Sequence, residues 1–311
     1  MDQFPLTPLE QLPLTIDHSA IEEAYMPFLL DGREGERAWK SDYARRRRRA
    51  LLRMVKRILG LKQRNTKAIQ AEYHGTWSAG HGKYDVAAGP QKPAAWRWRG
   101  RKLALDGMVA ARLRAPLLAA VIDRLEPKKV LEVGCGNGIN LFSLAGDFPD
   151  VEFTGIDLTP AGIEAAEAVQ AEDQMPPALA EYIPLPNPDP TAFKRIRFIQ
   201  GSAAELPFAD GEFDLVYTVL AVEQMERIRD QALAEIARVS RGHVLMLEPF
   251  KDTNRRGVRR LYAVSRNYFR GSIQDLERFG LEPVWATDDF PQEAFLGSPL
   301  VLSRKVGVKG L

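Results

Sequence analysis

Val130-Leu131-Glu132-Val133-Gly134-Cys135-Gly136-Asn137-Gly138 is the stretch on which the reading of this chain turns. Its first four residues alternate as a short buried strand does. Glycines then stand at every second position, Gly134, Gly136 and Gly138. Glycine lacks a Cβ, so it turns sharply and lets a ligand approach the backbone. Ile139 to Ala145 follows with helical spacing of apolar residues. A strand, a glycine turn and a helix start form a pocket lined by backbone N–H groups, where the helix dipole favours negative charge. The local pattern predicts a nucleotide-like ligand.

Downstream the pattern alternates. Val151–Leu158 reads as a strand, and 159–171 as a helix with Thr159 as cap and Pro160 at its first position. Residues 173–191 hold six prolines and read as an irregular insertion. Strands are expected at Ile196–Gln200, Phe213–Leu220, Val244–Glu248, 284–286 and Leu300–Val306, with helices at 227–239 and 272–279. Such alternation predicts an α/β, Rossmann-like, doubly wound sheet. The short connection before the last strand predicts that this strand runs antiparallel.

Upstream, residues 1–30 carry Pro5, Pro8, Pro13 and Pro27 and read as an extended arm lying on the rest of the protein. It contains one short helix near Ser19–Tyr25, with Ser19 as its cap. Residues 34–60 read as a helix with an apolar stripe (Leu51, Leu52, Val55, Ile58, Leu59) and a basic face (Arg45 to Arg49, Arg53, Lys56, Arg57). That face suits an acidic membrane surface, a phosphate-bearing ligand, a partner, or plain solvent. Residues 73–100 are rich in glycine, aromatics and histidine and read as a loop or lid. His74, His81 and Asp85 stand there without the spacing of a zinc site, so no metal is expected. Helical spacing returns from Ala104 to Leu125.

The 311 residues are enough for one large domain or two modest ones. A single cysteine, Cys135, excludes an intramolecular disulfide. No leader-like or membrane-spanning apolar run is visible, so the expectation is a cytoplasmic protein. The net charge of +2 hides a division: residues 1–30 carry −5, residues 31–129 carry +16 and residues 130–311 carry −9. A basic third joined to an acidic remainder suits an anionic ligand, or an internal interface at which the two parts neutralise each other.

Asp157 ends the second strand, 19 residues after Gly138. A carboxylate there can accept both hydroxyls of a ribose. The dinucleotide spacing G-x-G-x-x-G is not met. Glu132, just before the turn, disfavours a pyrophosphate and suits an amino-acid ammonium. These residues point away from a nicotinamide dinucleotide and toward S-adenosylmethionine.

Val130–Gly138 with Gly155-Ile-Asp-Leu-Thr159 resembles the first two motifs of class I S-adenosylmethionine-dependent methyltransferases, in the broad small-molecule branch. Gly201–Phe208, Asp210–Tyr217, Ala232–Val239 and Leu247-Glu-Pro249 resemble the later segments, in the same order. The likeness covers roughly residues 105–306. It implies an extension, residues 1–103, and a methyltransferase domain, residues 104–311, with insertions at 173–191 and 251–270. It implies that Glu132, Gly134, Cys135, Gly136, Asn137 and Gly138 hold the methionine part, Asp157 the ribose and Leu158 the adenine. Ser202 and Ala203 flank the adenine edge, where many relatives have Asp in place of Ser202. Val219 and Leu220 face the methyl end.

A hydroxyl acceptor calls for a general base. Glu223 is the best placed candidate, with His81 or Tyr84 arriving from the lid and Gln224 beside the acceptor. Arg255 and Arg259 lie in a second basic addition, 251–270, and are candidate substrate contacts. The expected acceptor is small or lipid-linked, and anionic. Two other readings stay open: a methyltransferase of RNA or protein that docks through the basic third, and a cofactor-binding protein without catalysis. A peripheral membrane contact also fits the basic helix.

Overall fold

The strand before the glycine turn lies inside the central sheet, flanked on both sides by parallel neighbours. The computed structural model describes residues 9–60 and 91–306. Along the chain come strand β1 (Leu9–Glu10), helix α1 (His18–Tyr25), β2 (Leu29–Leu30), the long helix α2 (Gly32–Ile58), and β3 (Ala94–Trp98) and β4 (Arg101–Leu105). Then come α3 (Val109–Leu125), β5 (Lys129–Val133), α4 (Ile139–Ala145), β6 (Glu152–Asp157), α5 (Pro160–Ala171), α6 (Pro177–Tyr182), β7 (Arg197–Gln200) and β8 (Phe213–Val219). The last elements are α7 (Arg229–Val239), β9 (Ser240–Leu247), α8 (Gly257–Arg266), β10 (Leu281–Thr287), β11 (Gln292–Glu293) and β12 (Leu300–Lys305).

Among the described residues the main sheet has eight strands in the order β1-β10-β12-β9-β8-β5-β6-β7. Strands β5 to β9 run parallel, with Val130 opposite Leu215 and Val133 opposite Ile156. Strand β12 is antiparallel to both of its neighbours, as the short connection predicts. Both faces are covered, which is why these strands read as nearly continuous apolar runs. Val130, Leu215 and Leu245 pack on one face with Leu117 and Leu118 of α3. Leu131, Val216 and Val244 pack on the other with Ile236 of α7.

The N-terminal arm does lie on the rest of the protein. Strand β1 extends the sheet beyond β10, with Leu9 opposite Ala286, and Arg124 Nε donates to the Pro13 carbonyl at 3.0 Å. Helix α1 is capped by Asp17, whose carboxylate accepts the N–H groups of Ser19 and Ala20. Ser19 therefore takes no capping role; the carboxylate one residue before the helix is the stronger acceptor. Thr159 likewise does not cap α5 with its side chain. Its hydroxyl goes to Asp157 instead.

Two local expectations are corrected. Residues 94–105 form a hairpin, not the end of a loop followed by a helix from Ala104. They belong to a second sheet, β11-β3-β4-β2, buried on both faces, with Trp96, Trp98, Leu103 and Leu105 in the main core and Ala95 and Ala104 in the cluster that includes Trp39 of α2. The helix starts at Val109, after Asp106 has accepted the N–H groups of Gln91 and Met108. The division expected at residue 103 falls within β4. The second correction concerns α2. Its apolar stripe faces outward, with Leu52 55% and Ile58 78% exposed. Arg45, Arg46 and Arg53 turn inward because the surfaces packed against them are polar and aromatic, while Arg47, Arg48 and Arg49 stay exposed. Asp42, buried on α2, accepts from the Arg45 and Arg46 guanidinium groups and from the backbone N–H of Ala95. Arg46 also pairs with Glu293 at 2.7 Å, and Arg53 lies over the ring of Tyr262 on α8.

Asp42 thus joins α2 to the hairpin through a charge that is almost wholly buried, and removing one partner of a buried pair leaves the others uncompensated. Asp42→Ala is expected to lower unfolding stability by about 3 kcal/mol, read by thermal or denaturant unfolding. A loss within the error of the measurement would show that the arginines find other partners.

Candidate active site

The carboxyl ends of β5, β6, β8 and β9 meet where the strand order reverses, and a cavity of about 570 Å³ opens there. The glycine turn forms one edge. Gly134 has φ +83° and Gly138 φ +76°, a region L side chains rarely enter. A Cβ at Gly134 would sit 2.3 Å from the Cβ of Ala221, and one at Gly138 2.6 Å from the ring of Phe198. The turn is therefore pressed against the segment after β8 as well as facing the cavity. Cys135 is a buried member of this turn. Burial pushes its thiol well above the ordinary range, so it is neutral and no nucleophile.

Asp157 closes the turn from the next strand. Its Oδ2 accepts from Gly136 N at 2.9 Å, and its Oδ1 from the amide and hydroxyl of Thr159 at 2.8 and 2.6 Å. A carboxylate has about four lone-pair directions, so Asp157 retains accepting capacity toward the cavity it lines.

Glu132 stands behind the turn and does not line the cavity. It is 1% exposed. Asn140 Nδ2 donates to one carboxyl oxygen at 2.6 Å and the Tyr217 hydroxyl to the other at 3.0 Å. Burial pushes its pKa up to about 8, against the pull of these two bonds and of the Arg114 charge. The segment after β8 has its own anchor. Glu248, at the end of β9, accepts the backbone N–H groups of Ala221, Val222 and Glu223 at 2.9 to 3.0 Å. Burial raises Glu248 to about 7 in spite of these three donors. Leu220, just before them, is held at φ +52° with its N–H on the Leu247 carbonyl. A leucine in this conformation is strained, and the surrounding bonds hold it there.

Gly134, Cys135, Gly136, Asn137, Asp157, Leu158, Ser202, Ala203, Val219, Leu220, Glu223 and Gln224 all line this cavity. Gln224 Nε2 donates to Glu223 Oε1 at 2.5 Å. Arg255 and Arg259 do not line it: Arg255 pairs with Asp252 at the surface, and Arg259 is buried beside Thr253 and Gly297. The cations that do reach it come from elsewhere, Arg45, Arg46, Arg49 and Arg53 of α2, Arg114 of α3, Arg227 before α7 and Arg266 of α8. His81 and Tyr84, with His74, lie outside the described residues. Among the described residues no group of three or more His, Cys, Asp or Glu is placed to hold a metal ion. Sequence reasoning missed Glu248, Trp96, Gln292 and the inward turn of the α2 arginines. Glu248 carried a signal, an acid at the end of a buried strand; the others carried none.

Residues 131–246 match the family model described as a methyltransferase domain. They are a class I S-adenosylmethionine-dependent methyltransferase domain. Of the curated relatives, the fatty-acid O-methyltransferase of Mycolicibacterium smegmatis is 33% identical over 117 residues, covering 38% of this chain and 35% of that protein. The phthiotriol/phenolphthiotriol dimycocerosates methyltransferase of Mycobacterium leprae is 31% identical over 122 residues, covering 39% and 37%. The matches thus span about a third of those relatives' length. Among solved structures the cyclase SpnF aligns with TM-score 0.53 and 18% identity, over 79% of this chain and 98% of that one. That likeness is one of fold.

The methyltransferase domain fits the cofactor of its family on two observations: the glycine cradle that a Cβ would fill, and Asn137 Oδ1, a buried acceptor in the cavity wall without a protein donor among the described residues. Gly134→Ala is expected to abolish binding of S-adenosylhomocysteine in calorimetry, since the methyl group meets Ala221 and a strained φ together; retained affinity would show that the turn can relax. A pH dependence follows from Glu132. Its ordinary pKa is 4.5 and its folded value about 8, so between these the folded protein holds a proton that the unfolded chain has released. Stability should therefore fall as pH rises through that window. Glu132→Gln, which keeps the size and one acceptor, should flatten this part of the Tm profile; an identical slope in wild type and variant would place the titration elsewhere.

Proposed function

We propose that this protein transfers a methyl group from S-adenosylmethionine to a small-molecule or lipid-linked acceptor that bears a negative charge. One observation carries the reading: the arginine face of α2 and the glycine turn of the methyltransferase domain border the same cavity. When bound, S-adenosylmethionine supplies a methyl group already activated by its sulfonium charge, so the protein's task is chiefly alignment and exclusion of water. Gly134, Cys135, Gly136 and Asn137 would hold its methionine part, Asp157 its ribose, and Leu158, Ser202 and Ala203 its adenine. Glu132 would act through the turn, by fixing Asn140 and Tyr217 behind it.

Glu223 and Gln224 would meet the acceptor, on a segment whose backbone Glu248 immobilises. For a hydroxyl acceptor, Glu223 would take up the proton. Arg45, Arg46, Arg49 and Arg53 border the cavity, which suits a compact anion there, while Arg47 and Arg48 stay at the surface. The names of the two mycobacterial relatives, one acting on fatty acids and one on dimycocerosates, support an acceptor with a large apolar part. Residues 1–103 would serve as the acceptor-selecting extension of a methyltransferase domain over 104–311, with 173–191 and 251–270 as its insertions.

Calorimetry with S-adenosylhomocysteine tests the cofactor, and transfer of labelled methyl to a panel of fatty carboxylates and alkyl phosphates, each with and without a hydroxyl group on the chain, and their neutral counterparts tests the acceptor. Asp157→Ala removes a charge-assisted acceptor and loosens the turn, and should weaken S-adenosylhomocysteine by about 100-fold, equivalent to about 2.7 kcal/mol. Unchanged affinity would remove Asp157 from the ribose role. Tight cofactor binding without transfer to any member of the panel would count against this acceptor class.

A further inference from the structure

Part of the cavity wall consists of hydrogen-bond donors without an acceptor among the described residues. Trp96 is 9% exposed and Gln292 6%, and both line the cavity. They stand on the neighbouring strands β3 and β11, where Glu293 pairs with Trp96 and Gln292 with Arg97. Gln292 Oε1 accepts the Ser298 N–H at 2.7 Å, which fixes the side-chain amide and commits its oxygen. Gln292 Nε2 and Trp96 Nε1 are both buried without an acceptor among the described residues. Arg53 Nη2 is a third such donor on the same cavity, although Arg53 Nε reaches the Ser265 hydroxyl at 3.3 Å.

Buried polar groups are nearly always paired, so three of one kind on one cavity call for an explanation. An indole N–H and a guanidinium have no accepting capacity, and the only acceptor of the Gln292 amide is already engaged. A group that complements such a wall must only accept. The charges agree. Burial lowers the pKa of Arg53, and the positive charges of Arg266 and Arg49 lower it further. An anion near Arg53 would offset both effects. Arg45 and Arg46 are different, since Asp42 and Glu293 already neutralise them. Beside the donors the wall is apolar, with Leu113, Leu117, Phe290 and Leu296.

We infer that Trp96, Gln292 and Arg53 bind the carboxylate or phosphate of an amphiphilic acceptor, and that this anion is the anchor and not the atom methylated. The inference rests on the proposed methyl transfer for the word acceptor, but the anion site itself does not. An oxygen whose lone pairs are held by several donors is a poor nucleophile. The reacting atom therefore belongs near Val219, Leu220, Glu223 and Gln224, with the apolar body of the acceptor between.

The test is calorimetry on the full chain with decanoate, decyl phosphate and decanol, each with and without saturating S-adenosylhomocysteine. At least one of the two anions should bind ~10-fold or more tighter than decanol, and the tighter one identifies the headgroup. Trp96→Phe, which removes the N–H and keeps an aromatic ring, should weaken the anions ~10-fold and leave decanol unchanged. Gln292→Glu, which keeps the acceptor for Ser298 and places an acceptor where the donor stood, should weaken them further. Thermal unfolding of each variant controls for folding, and Arg53→Met carries the test if Trp96→Phe does not fold. Equal affinity for the three probes, or anion affinity untouched by these variants, overturns the inference. Anion binding lost in the variants of a protein that does not bind S-adenosylhomocysteine would uphold the site and overturn the methyl-transfer reading instead.

Discussion

The missing side chain at Gly134 is the constraint on which the site depends. With no Cβ there, the turn after β5 can press against Ala221 on the segment after β8. Two strand ends that are neighbours in the sheet then become neighbours in the cavity wall. Asp157 draws the third strand end into the same arrangement by bonding Gly136, and Glu248 draws in the fourth by holding three successive N–H groups of the segment that carries Glu223. The cavity is thus held by two carboxylates, the buried Glu248 and the half-buried Asp157, that bond mostly to backbone. Such bonds fix the position of the chain with little dependence on which side chains point into the cavity.

The second organising force is electrostatic. A helix with five consecutive arginines has few apolar residues to bury, and α2 joins only a small cluster, through Trp39 and Ala50. It packs through Trp39, Asp42 and Ala50, with Asp42 and Glu293 neutralising Arg45 and Arg46. Of the others, Arg53 lies over Tyr262 and lines the cavity with Arg49, while Arg47 and Arg48 are exposed. Stacking a guanidinium on an aromatic face stabilises the cation without consuming its donors. The helix can therefore be both a wall of the protein and a charged lining. The basic third and the acidic remainder do meet, as at the Arg46–Glu293 pair, but the neutralisation is partial and leaves charge facing the cavity.

Much of the core was legible. The alternating strands and helices after residue 129, the antiparallel final strand and the place of Asp157 follow from spacing, and the expectation that Leu158, Ser202, Ala203, Val219 and Leu220 border the same site follows from the family resemblance of the motifs. Local features were less legible where two residues compete for one role. Asp17 takes the cap from Ser19, and Thr159 spends its hydroxyl on Asp157. Residues 94–105 read as loop and helix because Trp96-Arg97-Trp98-Arg99 mixes cations with aromatics. Their alternation is that of a strand with one face on the core and one face stacked on α2.

The sequence by itself determined the doubly wound sheet and the glycine turn, because both arise from interactions between residues close in the chain or from a repeating apolar period. It also determined which strand ends carry the acids. Only the tertiary structure decided which arginines reach the cavity and which do not. Arg255 and Arg259 are as basic as Arg49 and Arg53, and nothing in their spacing separates them. What separates them is which surface each helix finds to pack against, and that depends on residues more than two hundred positions away. The same holds for Trp96 and Gln292, which come to line one cavity only when β11 pairs with β3.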